Sequence, residues 1–293
     1  MQSNNPVFRN SDEFNGKATN AYGNQVYGGA GTSYPGYGQA PASDPSTWSV
    51  GTPGRAPGQA PSDIRPMTID SVVERTGLAL LVVLVGAFAT WVLTPDLTST
   101  DAQQHIGQIS AWVLVGSGLA FVLSLANSFK KVISPALVLV FCLAEGVALG
   151  ALSKLFDYQY GGGIVIQAVL GTFAAFAGTL AAYKFFEIKV GARFRMFVIS
   201  AMFAMVGLGI LEIILSMFGA SIGLYGFSGI GLLFAIAGLV LGVFMLILDF
   251  DFVENGIRAG LPERESWRAA FGLTVSLVWI YVNLLRILAI MRR

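Results

Sequence analysis

GLLFAIAGLVLGVFMLILDFDFVENG, residues Gly231 to Gly256, is apolar from Gly231 to Leu248 and then places Asp249, Asp251 and Glu254 within six positions. An uninterrupted run of this kind suits a helix crossing a bilayer, which needs roughly 20 apolar residues for about 30 Å of hydrocarbon. Gly231, Ala235, Gly238, Gly242, Met245 and Asp249 follow one another at steps of three or four, so they share a face. That face is small and suits close approach of another helix, so Asp249 is expected to point into a helix bundle. Asp251 falls on the other side with Val240, Phe244 and Ile247, a bulkier face suited to lipid, and is expected to reach toward headgroups or the cytoplasm. Glu254 reads as polar flank.

The rest of the chain fits the same solvent. Of 293 residues 54% are hydrophobic and 12% charged, against about a quarter charged in soluble domains. An all-α integral membrane protein follows. A net charge of +1 with no long basic run leaves no electrostatic footprint for nucleic acid. One cysteine, Cys142, in an apolar run and one histidine, His105, in a connecting segment exclude a disulfide framework and a His/Cys zinc site.

Residues 1–65 are rich in Gly, Pro, Ser, Asn, Gln and Tyr and hold no apolar run, so they read as a disordered cytoplasmic tail carrying Tyr22, Tyr27, Tyr34 and Tyr37. With no apolar segment at the extreme N-terminus, the first span is expected to act as an uncleaved membrane signal. Residues 66–293 form the transmembrane domain. In PMTIDSVVERTG, Ser71 and Glu74 have capping-box spacing, which places a helix start near Val72. Seven spans are expected, near 73–94, 109–129, 132–153, 162–182, 195–219, 223–248 and 269–290.

Basic residues set the orientation. Arg65 and Arg75 precede span one; Lys130 and Lys131 separate two and three; Lys184, Lys189, Arg193 and Arg195 separate four and five; Arg258, Arg264 and Arg268 separate six and seven. These loops are expected inside, with the N-terminus cytoplasmic and the C-terminus outside. Lys154, Arg292 and Arg293 run against that pattern. Gly146 and Gly150, like Gly238 and Gly242, have the spacing of close helix contacts.

Charged groups at membrane depth cost on the order of 3 kcal/mol each on insertion scales, so Glu145, Glu212, Asp249 and Arg286 each need an explanation. Read as the end of its helix, Asp249 meets the carbonyl pole of the dipole, which with partial burial disfavours the ionised form. It is therefore expected to change charge near physiological pH and to serve as a proton-sensitive latch or cation site. A salt bridge to Arg258 or Arg264 is the structural alternative. In span seven Gly272, Ser276, Trp279, Asn283 and Arg286 form a polar stripe, so this helix should sit near the bundle centre. Counted at about 1.5 Å per residue, Glu145, Glu212 and Arg286 share a layer roughly 20–25 Å deep. Arg286 with Glu145 is the preferred pair and Glu212 the competitor.

MTIDSVVERTG, AEGVALG in span three, the acidic end of span six and NLLR in span seven together resemble the Bax inhibitor family, particularly its bacterial branch with a Gly/Tyr-rich tail. The likeness covers residues 66–293. It implies a seven-helix bundle with the last helix central, in a bacterial cytoplasmic membrane, and a calcium leak that responds to pH. It further implies a pair of proton-sharing aspartates in spans six and seven. Asp249 matches the first, and the second falls on Ser276. A serine cannot share a charge, so Asp249 is left to bond Ser276 or to pair with Asp251 or a loop acid. The family's acid in span two is also missing, and Glu145 is a substitute partner for Arg286.

The leading reading is thus a passive cation leak gated at Asp249, with calcium or protons and lipid as partners, no cofactor, and Asp249 the candidate metal ligand. The alternative is a non-transporting regulator that binds other membrane proteins; proton-coupled transport is a third. GFSG, Gly226 to Gly229, resembles the nucleophile motif of rhomboid proteases. A serine there needs a base, and His105 lies far upstream, so Ser228 reads as a helix-start residue and no enzyme is expected.

Overall fold

Thr68 opens the first helix. Its hydroxyl accepts from the Ser71 backbone N–H at 3.1 Å while the Ser71 hydroxyl accepts from the Thr68 N–H at 3.1 Å. The capping box is therefore Thr68/Ser71 and not Ser71/Glu74, and the helix starts at Ile69, one turn earlier than expected. The helix stops at Leu93, just ahead of Thr94, whose successor Pro95 disfavours helical backbone before it.

The computed structural model describes residues 65–97, 102–186, 188 and 190–293; the expected tail, its tyrosines and Lys189 lie outside the described residues. The helices are α1 (Ile69–Leu93), α2 (Ala102–Phe129), α3 (Pro135–Tyr160), α4 (Ile164–Phe185), α5 (Ala192–Met217), α6 (Gly229–Arg258) and α7 (Ser266–Met291), with a 3₁₀ turn at Glu263–Glu265 before the last. All seven are long and apolar enough to cross a membrane, and among the described residues no β-strand occurs. The described residues form seven helices of a multi-pass membrane protein.

Burial follows composition. α7 packs against α1, α3, α4 and α6 and buries residues all round, including Ser266, Thr274, Ser276 and Asn283, so it is the central helix. α5 buries only Val198, Met205, Gly209 and Glu212, a single stripe that meets α6 at the edge of the bundle. Between α1 and α3 the backbones nearly touch: a Cβ at Gly146 would lie 3.1 Å from the Gly86 Cα, and one at Gly150 2.8 Å from the Ala87 Cα. The small-residue spacing read from the sequence is therefore a helix contact, and dispersion across it holds where lipid supplies no hydrophobic drive.

One end of the bundle gathers the basic loops, and there the lead-in to α1 is latched to the α6–α7 connection. Met67 N–H donates to the Leu261 carbonyl and Glu263 N–H to the Arg65 carbonyl, both at 2.7 Å, making a bridge between Pro66 and Pro262. The Ser71 and Ser266 hydroxyls bond at 2.7 Å, Arg75 pairs with Glu263 at 2.8 Å, and the Arg75 guanidinium lies 5.2 Å over the Trp267 ring. Arg268, fully buried, pairs with Glu265 and reaches the Lys131 carbonyl at 2.8 Å, tying in the α2–α3 loop.

At the opposite end the basic exceptions find backbone partners. The buried Lys154 Nζ donates to the Trp91 and Thr94 carbonyls at 2.8 and 2.7 Å, closing the last turn of α1, where positive charge is favoured. Arg292 donates to the Gly161 carbonyl at 3.2 Å and to Gln167 at 2.8 Å.

Candidate functional site

α6 begins at Gly229, not near 223, because Ser228 caps it by accepting from the Gly231 N–H at 3.5 Å. It then runs on to Arg258, so Asp249, Asp251 and Glu254 all sit inside the helix. Asp249 stands nine residues before Arg258, more than two turns from the last carbonyls. The dipole effect fades within a turn, so the sequence argument from a carbonyl pole does not hold for it.

The small face of α6 does meet α7. A Cβ at Gly242 would lie 2.7 Å from Ile280 Cγ1 and 3.0 Å from Trp279 Cδ1, so only glycine allows this approach. Gly238 is pressed by the Asn283 side chain, and its carbonyl accepts from Trp279 Nε1 at 2.8 Å. Two turns beyond Gly242, the half-buried Asp249 lies against Gly272, and its Oδ2 accepts from the Ser276 hydroxyl at 2.5 Å. Ser276 is fully buried on the central helix. Of the partners open to Asp249, the structure selects Ser276; Arg258 instead pairs with Glu254 on its own helix.

Asp251 does not reach toward headgroups. It is buried, and its Oδ2 takes the Arg195 guanidinium of α5 at 2.8 Å. The face opposite α7 is covered at this level by α5, whose Arg195 lies in its first turn. Glu254 likewise has a partner, accepting from the Tyr183 hydroxyl of α4 at 2.6 Å. Sequence reasoning left Arg195 among the loop basics and missed Tyr183; the signal for Arg195 was its position at the same depth as Asp251.

The stripe on α7 faces α6 throughout, but its last member does not pair with an acid. Arg286 Nη2 donates to the Leu224 carbonyl at 2.8 Å, and the guanidinium lies 5.0 Å over the Tyr225 ring and 6.0 Å over Phe234. Glu212 is buried and accepts from the Ile222 and Gly223 N–H groups at 3.0 and 2.9 Å. The two opposite charges thus grip successive peptide groups of one turn, residues 222–224, and not each other. A buried carboxylate is satisfied by backbone N–H groups as well as by a cation, and a guanidinium by a carbonyl and a ring face. Asn283, buried, turns its Nδ2 to the Trp279 carbonyl at 2.8 Å. Glu145 lies apart from all of these, on α3. The expected network of Glu145, Glu212, Asn283 and Arg286 is therefore divided among separate places.

Among the described residues no group of three or more His, Cys, Asp or Glu could hold a metal. Asp249 offers one carboxyl beside one hydroxyl, far short of the six to eight oxygens calcium takes in a resident site. What the arrangement can do is couple a proton to helix packing. A neutral Asp249 both donates and accepts toward Ser276, whereas an ionised one only accepts.

A family model described as Bax inhibitor 1 like matches residues 5–293. No curated protein matches the chain.

Proposed function

The chain belongs to the Bax inhibitor family, and from that premise we propose that it is a passive cation leak, with calcium as the permeant ion, held shut by the contact between Asp249 and the central helix. The observation that carries this reading is the 2.5 Å bond between Asp249 on α6 and the buried Ser276 on α7. Gain or loss of one proton changes what that bond can be, and the glycine-lined seam beside it leaves α6 and α7 little room to compensate. Asp251, held by Arg195, fastens α6 to α5 and is not the sensing group. The gathering of Arg65, Lys130, Lys131, Arg258, Arg264 and Arg268 at one end supports an N-terminus on the cytoplasmic side of a bacterial cytoplasmic membrane. Ser228 is a helix cap without a histidine on a later helix, and the proposal includes no catalysis.

The test is calcium flux into liposomes holding the full chain, at acidic and alkaline pH, with the native protein and Asp249→Asn. The reading expects native flux above that of empty liposomes and dependent on pH, with the dependence lost in the variant. Native flux no greater than that of empty liposomes would transfer the assignment to a regulator that binds other membrane proteins.

A further inference from the structure

Glu145 is an acid at membrane depth that the leak does not use and that, unlike Glu212, has no backbone N–H partner among the described residues. It stands ten residues from the start of α3, about 15 Å along the span. It lines a groove of about 300 Å³ between α2 and α7, with Ser117 and Ser124 on one wall and Val282 and Trp279 on the other, and Phe141 one turn away on α3. Among the described residues nothing bonds to its carboxyl. Three cations of α3 and α7 bond elsewhere: Arg286 to the Leu224 carbonyl, Lys154 to those of Trp91 and Thr94, and Arg268 to Glu265 and the Lys131 carbonyl. Ser124 donates its O–H to the Phe121 carbonyl and keeps lone pairs that can accept, Trp279 has spent its N–H on Gly238, and the exposed Ser117 adds a second hydroxyl on the same wall. Ser117 and Phe121 are exposed on the flank of α2, so the groove opens sideways at membrane depth.

An ionised carboxyl group without a partner in this layer is costly, and a positive charge brought to it offsets that cost. One carboxyl and two hydroxyls are too few oxygens for calcium. They suit an ammonium N–H, and the aromatic and valine walls suit its alkyl substituents, with Trp279 and Phe141 adding cation–π attraction. The volume is at the lower end for small-molecule sites. We propose that this groove binds a protonated amine carrying an apolar chain, which arrives laterally from the bilayer and pairs with Glu145.

The test uses the full chain in liposomes and dicyclohexylcarbodiimide, an apolar reagent that adds to carboxyl groups, with labelling at Glu145 read by peptide mass spectrometry. N,N-dimethyldodecylamine, which the reagent does not consume, is expected to slow labelling about tenfold, the effect of a modest charge-assisted pair. Dodecanol and calcium chloride are expected to leave the rate unchanged. Equal protection by dodecanol would reduce the groove to an apolar crevice, protection by calcium would make it a cation route, and no labelling at all would mean that the carboxyl is closed to the bilayer; each overturns the proposal. Direct binding gives a second readout, since Glu145→Gln should weaken uptake of the amine about tenfold without changing that of dodecanol. Equal uptake of the amine by both chains sinks the assignment.

Discussion

Asp249 and Asp251 are two residues apart on one helix, yet they do different things. Asp249 faces the central helix and meets a neutral hydroxyl, while Asp251 faces the peripheral α5 and meets a guanidinium. A cation partner makes the acid one half of an ion pair that fastens α6 to α5; a hydroxyl partner brings no charge to it. Two positions along a helix turn the side chain by about 200°, so the neighbour and not the residue type decides which role each carboxyl takes.

The comparison can be broken or sharpened by substitution. The largest effect is expected from Gly242→Leu, which drives a side chain into Ile280 and Trp279 and separates Asp249 from Ser276 while leaving the Asp251 pair alone. Thermal unfolding in detergent should show a loss of about 3 kcal/mol, the upper range for overpacking. Next, Arg195→Ala strands a carboxylate whose side chain is only 13% exposed; because Arg195 itself is 35% exposed, the loss should lie between surface and buried values, about 2 kcal/mol. Its signature is recovery in the double variant with Asp251→Leu, measured by the same unfolding assay. Ser276→Ala removes one hydrogen bond and should cost about 1 kcal/mol. Smallest in stability is Asp249→Asn, whose amide oxygen still accepts from Ser276 and which should stay within about 0.5 kcal/mol of native. It should nevertheless remove the pH dependence of flux, whereas Asp251→Asn should keep it. The reverse outcome would exchange the roles assigned to the two acids.

Much of this was legible from residue order. The seven spans, the inward turn of Asp249 on its glycine face and the central place of α7 all follow from periodicity, because a helix displays its own faces in its sequence. Periodicity does not say which neighbour covers a face. Asp251 was assigned to lipid because bulky residues share its side, but α5 closes over that side through Arg195. The partner of Arg286 was sought among acids at equal depth, whereas a carbonyl at Leu224 and the ring of Tyr225 serve instead. Backbone partners carry no signature in side-chain identity, and the turn that supplies them lies ahead of the Ser228 cap, where a span beginning near 223 would have made it helix.

The bridge between residues 65–67 and 261–263 also bears on how the protein is made. Ser71 must wait for Ser266, 195 residues later in the chain, before their hydroxyls can meet. During synthesis the first span therefore resides in the membrane with its lead-in unfastened until the ribosome has delivered the last. Closing the latch is a late event in biogenesis, and it leaves the lead-ins to the first and last spans holding each other.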